Sequence, residues 1–115
     1  MTLAKQSNTN TERETQRQIV DLLRGAGWLV FVTSQPAMAR LQLSGLPDLV
    51  AFKHGVTLLI EVKSDSGKLR PSQAEFFSRL SEHLGPCLRH LVARRIDDVT
   101  TVLDGIASQL DRARV

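Results

Sequence analysis

The 115-residue chain has one cysteine, Cys87, and no tyrosine. A single cysteine excludes an intrachain disulfide, and a reducing, cytoplasmic setting is the simpler expectation. Cys87 lies in Cys87-Leu88-Arg89-His90-Leu91-Val92, where strand packing explains it better than nucleophilic chemistry. One cysteine and three histidines (His54, His83 and His90) at unrelated spacings give no zinc ligand set. The chain has no run of about 18 apolar residues, so no membrane span is expected. The start, Met1-Thr2-Leu3-Ala4-Lys5-Gln6, lacks the apolar core of a secretion signal. No Gly-x-x-x-x-Gly-Lys-Ser/Thr loop is present, which excludes the usual nucleotide-hydrolysing site. Aromatic residues are scarce: one Trp and four Phe, most of them inside apolar runs. That disfavours recognition of single-stranded RNA by stacking. No run of Lys or Arg marks a tail. The net charge of +3 is compatible with a nucleic-acid partner, but any basic surface must be assembled by the fold.

What is present suits one small domain with a single core, 42% of its residues being hydrophobic. Residues 1–10 are polar and read as a flexible N-terminal arm, and residues 11–115 read as the domain. Thr11 is a helix N-cap followed by acidic Glu12 and Glu14. Ile19, Val20 and Leu23 recur at helical spacing until Gly25 and Gly27 stop the helix. Trp28 to Val32 is an apolar run and reads as a buried strand; Thr33 to Ser44 reads as a loop. Asp48 to Phe52 and Val56 to Lys63 read as two strands joined by a tight turn at Lys53-His54-Gly55. Pro71 opens a second helix that runs to about Leu84, before Gly85-Pro86. Leu88 to Ala93 is a fourth strand, and Ile96 to Leu110 a final helix. The order is helix, three strands, helix, strand, helix.

Charges then fall where charges are expensive. Glu61 and Lys63 are two residues apart in an apolar strand, so both point to one sheet face. The hairpin can bring Asp48 beside them. Half-buried charges cost several kcal/mol unless paired or bound to metal. Two carboxylates and an ammonium on one face suit a divalent metal and a water, and hence phosphodiester hydrolysis. Gln73 precedes Phe76, Phe77 and Leu80 by three, four and seven residues, which sets it on the apolar stripe of its helix. Glu12 precedes Gln16, Ile19 and Leu23 by four, seven and eleven, which puts it on the buried stripe too. Taken singly, each residue has a plainer explanation. Asp48 suits a turn, the Glu61/Lys63 pair suits a solvent-facing edge, Gln73 suits a cap, and Glu12 suits the helix dipole.

The segments Gly45-Leu46-Pro47-Asp48-Leu49, Ile60-Glu61-Val62-Lys63 and Gly67-Lys68-Leu69-Arg70-Pro71-Ser72-Gln73 together resemble the virus-type replication-repair nuclease (VRR-NUC) domain of the PD-(D/E)XK nuclease superfamily. The resemblance covers roughly Glu12 to Ala93. Its specific part is the Lys-Leu-Arg-Pro-x-Gln segment downstream of Glu-x-Lys. It implies an α/β, restriction-endonuclease-like core: a mixed four-stranded sheet flanked by helices, ordered αβββαβ with a C-terminal helix. It also implies that Asp48, Glu61 and the backbone carbonyl of Val62 bind metal, and that Lys63 positions or activates the attacking water. Glu12 would assist metal or water binding, with Glu14 as the alternative, and Gln73 would close the site from the second helix.

The expected function is that of a Mg²⁺- or Mn²⁺-dependent, structure-selective DNA endonuclease. Short members of the family resemble Holliday junction resolvases, and phage genomes carry many of them. Cutting both strands of a junction symmetrically needs two sites, so a homodimer is the expected assembly. The final helix either covers the sheet or dimerises. Lys68 and Arg70, next to the site, are expected phosphate contacts, and a solvated loop explains them equally well. The alternatives are a non-catalytic nucleic-acid-binding protein with the same fold, or a nuclease acting on RNA.

Overall fold

Thr11 starts the first described helix as the sequence predicts. Its side-chain oxygen accepts from the Glu14 N–H at 3.1 Å, with Glu12 and Glu14 in the first turn and Arg24 in the last. The computed structural model describes residues 10–34 and 45–113, so the expected arm and most of the loop after residue 33 lie outside the described residues. Helix α1 (Glu12–Gly25) buries Thr15, Ile19, Val20 and Leu23. The chain turns at Gly27, whose φ of 91° favours glycine, and enters β1 (Leu29–Val32).

Strands β2 (Leu49–Lys53) and β3 (Val56–Val62) form the expected hairpin. The two residues of its turn, His54 and Gly55, both have positive φ, 48° and 82°. His54 is exposed there. Helix α2 (Pro71–Leu80) is shorter than expected. Its last turn tightens into a 3₁₀ turn over Ser81–His83, where the Ser81 hydroxyl donates to the Ser78 carbonyl at 2.6 Å. Strand β4 (Leu88–Ala93) and helix α3 (Ile96–Ala113) complete the chain. Cys87, expected to pack in a strand, is exposed just before β4. Its carbonyl accepts from the Thr57 N–H at 2.8 Å, so the backbone, not the thiol, joins the sheet there.

The sheet order is β1-β2-β3-β4, antiparallel except for the parallel β3–β4 pair, which makes the mixed sheet expected. Register divides its faces. On one side Val30, Leu49, Ala51, Leu58, Ile60, Val62 and Ala93 are buried. They join Ile19 and Leu23 of α1 and Val99 and Ile106 of α3 in one core. On the other side lie Leu29, Phe31, Val50, Phe52, Leu59, Glu61, Lys63, His90 and Val92, alternating with the first set. Helix α2 covers the β3–β4 half of this second face, where the Phe77 ring stacks on His90 at 4.7 Å. The β1–β2 half stays open: Leu29, Phe31 and Phe52 are 59%, 54% and 41% exposed.

Strand β1 is therefore not the buried strand that its apolar run suggests. Only Trp28 and Val30 of the run are buried, because α1 and α3 cover just one face at this edge. Among the described residues no helix is long and apolar enough to cross a membrane.

Candidate active site

The turn ahead of β2 is held from two sides. Gly45 has φ 90°, and a Cβ there would stand 2.4 Å from the Ser72 carbonyl oxygen at the start of α2. The turn thus approaches α2 more closely than any side chain allows. From β1, the Thr33 hydroxyl donates to the Pro47 carbonyl, and the Thr33 N–H donates to the Asp48 carbonyl at 2.8 Å. Asp48 sits one residue before β2. Its Oδ2 accepts from the Val62 N–H at 2.9 Å, which aims the carboxylate at the end of β3.

Glu61 waits there, 2% exposed. Its Oε2 accepts from Gln73 Nε2 at 2.6 Å and lies 3.5 Å from Lys63 Nζ. Its Oε1 is buried without a hydrogen-bond partner. Burial pushes the Glu61 carboxyl up to about 7, and the neighbouring Asp48 charge adds to the rise, while Lys63 opposes it. Gln73 is equally buried, and its Oε1 accepts from the Arg70 N–H at 2.8 Å. One amide therefore caps α2 and holds Glu61. The cap that the sequence offered for Gln73 is present, and the same side chain faces the carboxylates.

Glu12 differs from expectation. It is exposed, because Thr15 takes the buried position at the start of the α1 stripe. Its carboxylate instead reaches the loop after β3, where Oε1 accepts from the Ser64 N–H at 3.1 Å. Among the described residues no group of three Asp, Glu, His or Cys side chains is arranged to hold a metal. Asp48 and Glu61 thus stand as a pair, with Glu12 beside the following loop. Lys68 and Arg70 have exposed side chains outside the ion pairs found among the described residues.

Two residues with structural parts at this site escaped the sequence reading. Arg94 Nη1 donates to the carbonyls of Ser64 at 2.6 Å, Asp65 at 3.3 Å and Gly67 at 2.6 Å, so one guanidinium ties down the loop between Lys63 and Lys68. The signal was parallel pairing: β3 and β4 end side by side, with the Lys63 N–H on the Ala93 carbonyl at 3.0 Å. That is invisible until the topology is known. His90 is the other. Its Nδ1 is buried without a partner, and burial pushes its pKa down.

The donors fit an oxygen-liganded divalent cation. Asp48 and Glu61 converge, Glu61 keeps one buried oxygen unpartnered, and burial together with the Asp48 charge holds its carboxyl above the ordinary range although Lys63 is beside it. Glu61 Oε1, the Asp48 carboxylate and the adjoining Val62 carbonyl are the groups that would hold it.

Comparison with known proteins adds a family to this geometry. A family model, the VRR-NUC domain, matches residues 2–93. The match ends at the last residue of β4 and starts ten residues before Glu12. Among curated proteins, none matches. Solved structures share the fold, two of them as follows. One, described as a VRR_NUC domain, has 22% sequence identity and a TM-score of 0.64, covering 83% of this chain and 97% of its own. The other, described as a VRR_NUC domain protein, has 22% identity and a TM-score of 0.63, covering 84% and 88%.

Proposed function

The chain belongs to the VRR-NUC family, and from that premise we propose that it is a metal-dependent, structure-selective DNA endonuclease of the Holliday junction resolvase type. The observation that carries this reading is Glu61. A carboxyl is buried beside a second carboxylate, with one oxygen left unpartnered. The Lys63 ammonium only partly offsets the cost of ionising that carboxyl there, so the site gains from a further cation. A purely structural site would gain from an uncharged residue here.

When bound, Mg²⁺ or Mn²⁺ supplies Lewis acidity, for activation of water and for the negative charge of the phosphate. The chain's own residues do the rest. Asp48 and Glu61 bind the ion, with the Val62 carbonyl as a third ligand. The Val62 N–H orients Asp48, and the Gln73 amide orients Glu61. Lys63, held against Glu61, offsets charge that develops on the phosphate. Glu12 steadies the loop behind Lys63 and assists the water from the rim. Lys68 and Arg70 hold backbone phosphates, which fixes position without reading sequence. A homodimer would bring two such sites to the two strands of a branched DNA.

The test is cleavage of a four-way junction, a flap and a plain duplex with Mg²⁺ or Mn²⁺. The branched substrates should be cut in preference to the duplex. Lys63→Ala should bind DNA and not cut; normal cutting by that variant refutes the site. Folded protein that binds all three and cuts none, with no dependence on the metal, would establish the non-catalytic binding role instead.

A further inference from the structure

We propose that the open half of the sheet, Leu29, Phe31 and Phe52, is a stacking platform for unpaired bases of the strand being cut. The proposal rests on the nuclease reading and deepens it, since it names what the site selects.

Three large apolar side chains exposed together need a reason. Leu29 pairs with Phe52 and Phe31 pairs with Val50, so all three project from one face. The Phe31 and Phe52 rings meet edge to face, with centroids 6.2 Å apart. A contiguous exposed apolar patch marks an interaction surface.

Register identifies the partner. Asp48, Val50 and Phe52 alternate along one side of β2 and its lead-in, and Leu59, Glu61 and Lys63 continue that side on β3. The aromatic pair is thus on the same face as the carboxylates. Phe52 is four residues from Asp48, roughly 13 Å at strand spacing. That is within reach of the nucleotides next to a phosphate at Asp48 and Glu61. On the nuclease reading the occupant brings a phosphate to the Asp48, Glu61 and Lys63 end, and the phenylalanine end asks for flat apolar faces. A nucleic-acid strand with unstacked bases has both. A plain duplex keeps its base faces inside the stack and offers backbone and groove edges instead. The platform therefore supplies a physical basis for selecting flaps and single-stranded segments: a strand passing over the carboxylates gains affinity where its bases are unpaired, which a fully paired four-way junction does not offer.

The test uses Phe31→Leu/Phe52→Leu, which keeps apolar bulk and removes the aromatic faces, built in a Lys63→Ala background so that binding is read without cutting. Fluorescence anisotropy would measure binding of a single strand, a flap and a blunt duplex, with the thermal melt confirming the fold. Base–aromatic stacking is worth about 5- to 100-fold in affinity per base. Loss of that size for the single strand and the flap, with the duplex within about twofold, is the expected result. Equal loss on all three, or loss on none, overturns the platform. So does a variant that keeps its oligonucleotide affinities but falls from dimer to monomer in sedimentation, which would assign the face to a second copy of the chain. Cleavage by the unmodified protein is scored separately. If it cuts nothing, the nuclease reading fails while the binding result still decides the platform.

Discussion

Glu61→Gln should stabilise the metal-free protein at alkaline pH while abolishing its activity. The carboxyl has an ordinary value of 4.5 and is raised to about 7 in the fold, chiefly by burial. A raised folded-state value means that the group's contribution to stability is fully present below pH 4.5. It is lost as pH climbs through 7. The shift corresponds to about 3 kcal/mol. Glutamine keeps the shape, can still accept from Gln73, and carries no charge to bury. In EDTA at pH 8 the variant should therefore be more stable than the parent by up to about 3 kcal/mol, or on the order of 10 °C in Tm for a chain of this size. At pH 5 the two should melt close together.

Mn²⁺ or Mg²⁺ should then reverse the order at pH 8. Binding to the folded state alone raises the parent's Tm with the logarithm of free ion concentration above Kd, and the variant should respond much less. The assay is thermal unfolding by circular dichroism at pH 5, 6, 7 and 8, with EDTA or with metal. Parallel pH profiles for parent and variant in EDTA would show that Glu61 is not held above its ordinary range. A variant less stable than the parent at pH 8 without metal would sink the reasoning outright.

Three further substitutions probe how the pair is held. Gln73→Ala removes the cap of α2 and the partner of Glu61 together; it should cost about 1–3 kcal/mol in urea unfolding and reduce cleavage. Gly45→Ala puts a methyl 2.4 Å from the Ser72 carbonyl at a φ of 90°. It should destabilise by at least about 1 kcal/mol and lower activity by pushing the turn that leads into Asp48 away from α2, read by melting and cleavage rate. Arg94→Ala removes the guanidinium donor from the carbonyls of Ser64, Asp65 and Gly67, leaving Ser64 only the Gly67 N–H. Hydrogen exchange should rise at 64–67 and cleavage should fall, whereas faster exchange spread evenly over the chain would argue against a local role.

The helices and the hairpin were legible because each buries one stripe or one face, and burial leaves a period in the sequence. The boundaries that slipped did so for local reasons. Helix α2 ends in a 3₁₀ turn that its composition does not announce. The spacing of Glu12 to Gln16, Ile19 and Leu23 points it to the buried stripe, yet Thr15 fills that position and Glu12 turns to Ser64. Arg94 could not be read at all, since its partners lie about thirty residues away and meet it only because β3 and β4 run parallel.

The site and the open face break the ordinary pattern in opposite senses, and only one break is visible beforehand. Glu61 and Gln73 are polar residues at buried positions. A charge inside an apolar strand, or an amide on an apolar helix stripe, contradicts its neighbours and marks itself as a candidate for function. Leu29, Phe31 and Phe52 are apolar residues at exposed positions. Within Trp28-Leu29-Val30-Phe31-Val32 they contradict nothing, because an apolar run is what a strand buried on both faces would show. What exposes them is the cover, and the cover is set by where α1, α2 and α3 land. Chemistry that needs charge in the core is thus written into the local sequence. Recognition by apolar surface appears only once the sheet is assembled, which is why the carboxylates could be named from the sequence and the aromatic platform beside them could not.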